Sequence, residues 1–294
     1  LLLILLCLPF IGFGQNVYIP DANFKAYLVG NTLINTNGDS EIQGSEANSF
    51  NGSINCNNMS IADLTGIEAF ISLDRLSVHY NNLSTLDISN NVALTVLNFQ
   101  QNQLTALNVS QNIALTELNC CSNQLTSLDV SNNTALTYLQ CGDNGLTSID
   151  VSGATALTDL GCGANQLTSL DVSNNTALTQ LHCYNNQLTS LDLRNGNNTN
   201  FIIIFAEGNT NLNCINVDDF QYSLFNWNSF AYFKFDTQHY FSNNCSGTSV
   251  EEHTTKKELL KVTDLLGREA KGTKNEVLLY IYDDGTVEKR IVIE

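Results

Sequence analysis

Charge is scarce in this chain, and positive charge is scarcest. Charged residues make up 14% of the 294 residues, with 12 Lys or Arg against 29 Asp or Glu, so the formal net charge is −17. No Lys or Arg occurs between Arg75 and Arg194. An acidic surface repels phosphate backbones and anionic lipid headgroups. Nucleic-acid binding can therefore be set aside, and binding to an anionic membrane is disfavoured.

Long apolar runs are lacking after the first residues. The run from Leu1 to Phe13 is shorter than the about 20 residues that a membrane helix needs, and Gly14 and Gln15 follow it. We therefore interpret residues 1–14 as a signal peptide with a truncated start, cleaved near Gly14. We expect a mature protein without a membrane span, secreted or at the cell surface.

The chain has instead a repeat of 21 residues. Leu115 to Val130 matches the leucine-rich-repeat template Leu-x-x-Leu-x-Leu-x-x-Asn-x-Leu, with Cys120 in the third apolar position. Such a unit is too small to bury its own apolar side, so it must stack on its neighbours. The recurring residues are Leu83, Leu104, Leu125, Leu146, Leu167 and Leu188; Leu97, Leu118, Leu139, Leu160 and Leu181; and Asn81, Asn102, Asn123, Asn144, Asn165 and Asn186.

Each repeat has two short strand signals and no room for a helix of ten or more residues. Leu118-x-Cys120 alternates inward and outward, and Leu128-x-Val130 does the same half a coil later. We predict a β-rich leucine-rich-repeat solenoid of narrow coils, with a parallel sheet on one side and extended or second-sheet structure on the other. The interior Asn residues should bond to backbone groups, because a buried amide without partners is costly.

The pattern divides the chain into six segments. Asp21 is the predicted N-cap of a short helix in an N-terminal cap, and eight of the twelve basic residues lie from Lys256 onward. In the C-terminal cap, Asp218 and Asp219 start a helical turn. We expect the large side chains of this segment to cover the last coil; they are Phe220, Tyr222, Leu224, Phe225 and Trp227. The segments are a signal peptide (1–14), an N-terminal cap (15–53), the solenoid (54–214), a C-terminal cap (215–246), a linker (247–258) and a small β-module (259–294).

Oxygen-bearing side chains recur at alternate positions in the N-terminal cap. Their spacing is that of a twelve-residue calcium loop, whose ligands occupy positions 1, 3, 5, 7, 9 and 12. The candidate ligands are Asn35, Asn37, Asp39, Glu41, Gln43 and Glu46. Asn35 replaces the usual Asp, and Ser40 replaces the Gly of the sharp turn. We predict a weak structural calcium site, with a Kd on the order of 10⁻⁴ to 10⁻³ M. A polar loop without an ion is the alternative.

Two residue columns have a structural interpretation and a functional alternative. Cys56, Cys120, Cys141, Cys162 and Cys183 share a position with Val78 and Phe99, which favours core thiols over a metal or redox ladder. Asp87, Asp129, Asp150, Asp171 and Asp192, with Asn108, favour turn-capping groups over catalytic acids. We predict a disulfide between Cys214 and Cys245, which flank the C-terminal cap, and an exposed thiol at Cys121.

Residues beside the inward Leu and Cys of the main strand must point outward. We predict that this face binds a partner, since solenoids bind through such surfaces. Variation along it fits recognition, although neutral drift would look the same. The predicted ligand-facing residues are Glu117, Asn119, Tyr138, Gln140, Asp159, Gly161, Gln180, His182 and Tyr184.

Several segments resemble known families. Residues 54–214 resemble internalin-like leucine-rich-repeat proteins of bacterial surfaces, and residues 19–47 are similar to the cap that precedes such repeats in proteins of the type IX secretion pathway. The tail, from Val262 to Glu269 and from Tyr280 to Arg290, is similar to the type A C-terminal sorting domain of that pathway. The resemblance implies recognition by the type IX machinery, export, and release or attachment at the cell surface.

These observations favour a non-enzymatic recognition or adhesion protein that binds an extracellular protein or glycan. A polysaccharide-acting enzyme is the first alternative, and it would require a cleft with two carboxylates in unlike environments. A passive structural spacer at the surface is the second. Apart from calcium, we expect no cofactor.

Overall fold

The computed structural model describes residues 15–227, 231–245, 259–263, 277–282 and 287–291. The chain divides into two compact units, Leu1–Cys245 and Ser246–Glu294. The predicted signal peptide and linker lie outside the described residues. The first unit is the solenoid with its caps, and it confirms the predicted leucine-rich-repeat fold.

The N-terminal cap is built on two short helices, Ala22–Gly30 and Gly44–Ser49. Asp21 caps the first helix as predicted, because its Oδ1 accepts hydrogen bonds from the N–H groups of Asn23 and Phe24. Phe24 and Leu28 are fully buried on one helix face. This face closes the first end of the apolar core.

The main sheet is parallel and has nine strands. Its register places Leu97, Leu118, Leu139, Leu160 and Leu181 directly opposite one another, one coil to the next. All five are fully buried, so the 21-residue period does stack equivalent side chains. The strands are Ser53–Asn55, Arg75–Ser77, Val96–Asn98, Glu117–Asn119, Tyr138–Gln140, Asp159–Gly161, Gln180–His182, Ile203–Phe205 and Phe233–Lys234.

The opposite side of the coils carries the predicted second strands. Ser127–Asp129 pairs with Ser148–Asp150, and a four-stranded parallel sheet contains Ser169–Asp171, Ser190–Asp192, Cys214–Asn216 and Tyr240–Ser242. Two 3₁₀ turns, Ile67–Ala69 and Asn198–Asn200, lie between main-sheet strands. No helix interrupts the coils from 70 to 197, which is why the repeat can be as short as 21 residues.

Buried asparagines tie each coil to its neighbours, as predicted. Asn165 Nδ2 donates to the carbonyls of Cys141, Cys162 and Gly163 at 3.0 to 3.3 Å, and its Oδ1 accepts the N–H of Leu146 at 3.0 Å. Asn102, Asn123, Asn144 and Asn186 make equivalent bonds. These amides satisfy loop groups that the narrow core would otherwise leave unpaired.

The cysteine column is a core feature. Its five thiols are fully buried and unpaired, and burial raises the pKa of Cys56 and of Cys162 to about 12. A thiol held in its neutral form is a poor nucleophile and metal ligand. Cys121, predicted to be exposed, is instead half-buried, because it packs beside the next coil at Gly142.

The C-terminal cap differs from its prediction in two ways. The helix Phe220–Asn226 begins after Asp219 as expected, but Phe220, Leu224 and Phe225 are 43%, 57% and 72% exposed, so these side chains do not cover the coil. Trp227 does cover it. Its indole is buried and contacts the rings of Phe201, Phe233, Phe235 and Phe241.

Both sheets also continue past the predicted boundary at Cys214. Phe233–Lys234 extends the main sheet, and Tyr240–Ser242 extends the opposite one. The segment after Cys214 is therefore a last, longer coil that carries a helix. The predicted disulfide is confirmed: Cys214 and Cys245 are bonded, with their Cα atoms 5.8 Å apart.

The second unit contains a small antiparallel sheet, as expected for a β-module. Its strands are Leu259–Thr263, Val277–Tyr282 and Val287–Ile291, with the middle strand paired to both others. The predicted turns at Gly267 and at Asp284-Gly285 lie outside the described residues.

Candidate functional site

The outward face of the main sheet bears the predicted ligand-facing residues in two columns. Glu117, Tyr138, Asp159 and Gln180 precede the inward Leu of successive strands, and Asn119, Gln140, Gly161 and His182 follow it. Tyr184 lies on the same side just beyond its strand. Glu117 and Tyr138 are exposed, and the others are half-buried except Gly161, which is buried.

A depression of about 470 Å³ lies in the middle of this face. Six of the predicted residues line it: Tyr138, Gln140, Asp159, Gly161, His182 and Tyr184. Glu117, Asn119 and Gln180 are on the same face but outside the depression. The lining also includes residues that were not predicted, namely Cys121, Ser122, Gly142, Asp143, Gly163 and Ala164.

Three glycines create the depression. A Cβ on Gly161 would lie 1.9 Å from Gln140 Oε1, and one on Gly163 would lie 2.7 Å from the ring of Tyr184. A Cβ on Gly142 would lie 3.1 Å from the carbonyl oxygen of Gly163. Any side chain at Gly161 or Gly163 would thus displace a lining residue. The signal was readable in the sequence, because these glycines interrupt columns that carry side chains in the other repeats.

Asp159 is the central ionisable group of the depression. Its Oδ1 accepts a hydrogen bond of 2.8 Å from Gln140 Nε2, and within the described part of the chain its Oδ2 receives none. Burial raises the pKa of Asp159, although His182 and Gln140 favour the charged form. Burial likewise lowers the pKa of His182, against the attraction of Asp159 and Glu207. Burial thus favours the neutral form of the His182 imidazole, which lies near an aspartate whose Oδ2 accepts no hydrogen bond among the described residues.

Aromatic rings border the depression. Tyr138 is 38% exposed, and its phenol pKa is raised by burial and by the nearby carboxylates of Asp159 and Glu117. The rings of His182 and Phe205 are in edge-on contact, with their centroids 5.0 Å apart. Lys234 Nζ lies over the same Phe205 ring, 4.5 Å from its centroid. The depression thus offers ring surfaces, a partly desolvated carboxylate and the imidazole of His182, and its lining contains no Lys or Arg.

The calcium-loop candidates are brought together, but their oxygens are already used. Asn35 Oδ1, Asn37 Oδ1 and Asp39 Oδ1 each accept a backbone N–H of the loop. Glu46 accepts hydrogen bonds from the N–H groups of Thr36, Asn37 and Gln43 and from the Thr36 hydroxyl. Glu41 pairs with Lys25 at 2.7 Å. These bonds hold the loop in its conformation without an ion, and calcium binding stays a prediction from the sequence.

The aspartate column caps turns, as predicted. Asp129 Oδ1 accepts the N–H of Ser131 at 2.8 Å, and each other member of the column accepts the N–H two residues ahead in the same way. These Asx turns give the carboxylates of the column similar backbone surroundings, and Asp192 in addition pairs with Arg194. A repeated cap of this kind does not supply the unlike acid and base of a glycosidase.

The described residues contain neither a cluster of metal ligands nor a membrane-spanning helix. Among the described residues, no three His, Cys, Asp or Glu side chains are grouped so that they could hold a metal ion. Within those ranges, no helix combines the length and the apolar character required to cross a bilayer.

Known proteins with similar sequence or structure are leucine-rich-repeat proteins. No protein-family model matches the chain. Internalin J of Listeria monocytogenes serotype 4b (strain F2365) is 54% identical over 39 residues, which are 13% of this chain and 4% of Internalin J. This chain therefore matches only a small part of that curated relative.

Solved structures extend the similarity over most of the solenoid. Internalin C2 of L. monocytogenes strain 4b F2365 aligns over 78% of this chain and 100% of its own, at 17% identity and a TM-score of 0.58. The functional domain of InlJ from L. monocytogenes, described as including a cysteine ladder, aligns over 69% of this chain and 68% of its own, at 27% identity and a TM-score of 0.40. The chain is a leucine-rich-repeat solenoid whose sequence and structural neighbours are internalin-like proteins.

Proposed function

We propose that this protein is a non-enzymatic recognition or adhesion protein that binds an extracellular partner through the outward face of the main sheet. The observation that carries the proposal is the glycine-floored depression in that face. A solenoid that served only as a spacer would have no reason to interrupt two neighbouring side-chain columns at one place. The depression makes one part of a repetitive surface different from the rest, which specific recognition requires.

The proposed location is outside the cell, released or attached at its surface. A bonded Cys214–Cys245 pair supports this, since disulfides persist in oxidising compartments and are rare in the cytosol. The resemblance of the tail to a type A sorting domain supports export by the type IX machinery. Fusing residues 247–294 to a reporter in a type IX bacterium tests this: the reporter should reach the medium or the cell surface. A reporter retained in the periplasm would contradict it.

A binding screen with face-specific variants tests the proposed function. The full chain is probed against arrays of glycans and of extracellular matrix proteins, with and without calcium. We expect at least one partner to be bound, and we expect Tyr138→Ala combined with Tyr184→Ala to abolish that binding. The matched control is Ser169→Ala with Ser190→Ala, which changes exposed residues on the opposite sheet. Partners retained equally by both variants would refute a role for this face.

A polysaccharide-acting enzyme is the second candidate, because the raised pKa of Asp159 is what a general acid would need. Its side chain contacts Gln140, and among the described residues it forms no hydrogen bond with a second carboxyl group. Release of reducing sugar from a polysaccharide panel by the wild type, and none by Asp159→Asn, would favour the enzyme over the binding protein.

A further inference from the structure

We propose that the central depression receives a cationic side chain, Arg or Lys, from an extended basic segment of a protein partner. The inference rests on the proposed binding function of this face and specifies the partner chemistry. It follows from the charges around the depression, from its ring surfaces and from the shape of its floor.

Several carboxylates are grouped at the depression. Asp143 and Asp159 line it, Glu117 is the cross-strand neighbour of Tyr138, and Glu207 is on the coil after Tyr184. Glu207 Oε2 is buried and, among the described residues, has no hydrogen-bond partner. These carboxylates raise the negative potential in one concave place, which attracts cations and repels anions.

Among the described residues, no Lys or Arg lines the depression. The sequence has no Lys or Arg from 76 to 193. Arg194 is bonded to Asp192 on the opposite side of the coil, and Lys234 lies over the Phe205 ring, on the strand three beyond that of Asp159 in the main sheet. His182 is held towards its neutral form by burial. An Arg or Lys from a partner would supply Asp159 with a fully charged counter-ion.

The ring surfaces suit a cationic side chain of this size. Tyr138 and Tyr184 both line the depression, and a cation within about 6 Å of a ring centroid is attracted by the negative face of the ring. The glycine floor removes the side chains that would otherwise fill the space between the rings. A guanidinium could then lie against a tyrosine ring and donate to the free Oδ2 of Asp159.

A neutral sugar is the alternative occupant. It could stack on the same tyrosines, but it would leave the grouped carboxylates without a counter-charge and the aspartate partly desolvated. An acidic sugar would be repelled. The charge pattern therefore favours a basic peptide, and an oligosaccharide becomes one outcome of the test.

The test uses the full chain and four acetylated, amidated heptapeptides of sequence Gly-Ser-Gly-X-Gly-Ser-Gly, with X as Arg, Lys, citrulline or Glu. We expect the Arg or Lys peptide to bind at least tenfold more tightly than the citrulline peptide, which matches arginine in shape but lacks its charge. Binding should weaken as salt is raised from 20 to 500 mM, because screening reduces the attraction. Equal affinity for the Arg and citrulline peptides would overturn the inference.

Variants locate the binding. Asp159→Asn should weaken the Arg peptide about tenfold or more, since it removes a charge-assisted hydrogen bond. Asp171→Asn is the matched control, because Asp171 caps a turn on the opposite side and should leave affinity unchanged. Thermal unfolding checks that both fold. Asp143→Asn is the second variant. Asp143 has a left-handed backbone conformation (φ 55°), which Asn tolerates, so the substitution should not strain the loop.

Cys121 gives an independent readout. It lines the depression and is half-buried, whereas the other free thiols of the described residues are fully buried. Bound Arg peptide should slow alkylation of Cys121 by iodoacetamide at least threefold, and the Glu peptide should not. Protection by a neutral oligosaccharide but by no basic peptide would overturn the cationic inference and leave the proposed binding face intact. Loss of every array partner in the Ser169→Ala, Ser190→Ala control would instead count against that face.

Discussion

At the scale of single residues, buried amides hold neighbouring coils together. Asn165 makes three donor contacts and one acceptor contact to backbone groups of its own coil and of the preceding one. A backbone group left unpaired in the core costs about 1 to 3 kcal/mol. This cost is why the Asn position tolerates so little variation along the repeat.

Asn165→Ala should lower the free energy of unfolding by about 3 kcal/mol, because it leaves the N–H of Leu146 without its partner in a dry core. Urea denaturation followed by circular dichroism measures the change. The matched control is Asn174→Ala, at an exposed position, which should change stability by less than about 0.5 kcal/mol. Equal effects of the two substitutions would refute the ladder as a stabilising element.

The sequence predicted the first column of amides but not a second one on the other side of the coil. Asn91, Asn112, Asn133 and Asn175 are fully buried, and each Nδ2 donates to two carbonyls of the preceding coils. Their 21-residue spacing was present, but Ala154 occupies one turn and hides it. Their Oδ1 atoms have no partner within the described residues, and we have no physical account of this.

The depression was only partly predictable from the sequence, because it depends on contacts between coils. Alternation along a strand is local, so it identified Tyr138, Asp159 and His182 as outward-facing residues. The concavity arises because Gly142, Gly161 and Gly163, on two adjacent coils, carry no side chains. Reading it requires the register between coils, together with the positions of the Gln140 and Tyr184 side chains that lean into the space.

At the scale of elements, the loop before the second helix depends on Glu46. The Glu46 carboxylate accepts four hydrogen bonds and forms a capping box with Gln43. Burial alone would raise the pKa of Glu46, but the hydrogen bonds from Gln43, Thr36 and Asn37 lower it overall. A lowered carboxyl pKa stabilises the fold above the unfolded-state pKa, and this stabilisation is lost as the pH falls through the folded-state pKa.

Glu46→Gln should lower the free energy of unfolding by about 3 kcal/mol at pH 7 with or without calcium, because the cap bonds need no ion. Its control is Glu41→Gln, which breaks only the Lys25 ion pair at the surface and should cost less than about 1 kcal/mol. Thermal unfolding in 5 mM Ca²⁺ and in EDTA separates the hypotheses. If wild-type stability rises with calcium and both variants lose that rise, the loop is a calcium site.

The disulfide stabilises the last coil, where the stacking ends. It joins residues 31 apart in sequence and closes the segment that contains the C-terminal helix and the final strand of each sheet. A cross-link of this loop length restricts the unfolded chain and contributes about 3 kcal/mol.

Replacing Cys214 and Cys245 by Ser should therefore lower stability by about 3 kcal/mol, with the loss confined to the end of the solenoid. Hydrogen exchange should increase first in Tyr240–Ser242 and Phe233–Lys234, while the strands near Leu118 keep their protection. Cys121→Ser is the control for thiol removal and should leave both measurements unchanged. Uniform loss of protection along the chain would show that the end does not behave as a separate cooperative part.

At the scale of the whole solenoid, the 21-residue repeat predicted more of the structure than the sequence of any single segment did. Every coil meets nearly the same neighbours, so a sequence pattern that repeats six times fixes register, core and opposite strands together. The C-terminal coil has no such repetition. Its helix face, its exposed Phe220 and Phe225 and its continued strands depend on tertiary contacts of Trp227 that a single copy does not reveal.

A solenoid of stacked equivalent coils should tolerate removal of one whole repeat. Deleting residues 84–104 joins Leu83 to Thr105, so Leu83 takes the place of Leu104, and its N–H can bond Asn123 Oδ1 as that of Leu104 does. We expect a folded chain with one main strand fewer. Its free energy of unfolding should fall by about 2 kcal/mol, the share of 21 residues at typical stability per residue.

Deleting the 11 residues 84–94 is the matched control. It removes the opposite side of one coil and joins Leu83 directly to the strand at Val96–Asn98, so the chain cannot return around the core. This variant should lose cooperative thermal unfolding, whereas the 21-residue deletion keeps it and keeps its affinity for the arginine peptide. The larger deletion is thus the milder one, because stability depends on preserved register between coils and not on the number of residues retained. A half-repeat deletion that folds as well as the full-repeat deletion would contradict in-register stacking as the basis of the fold.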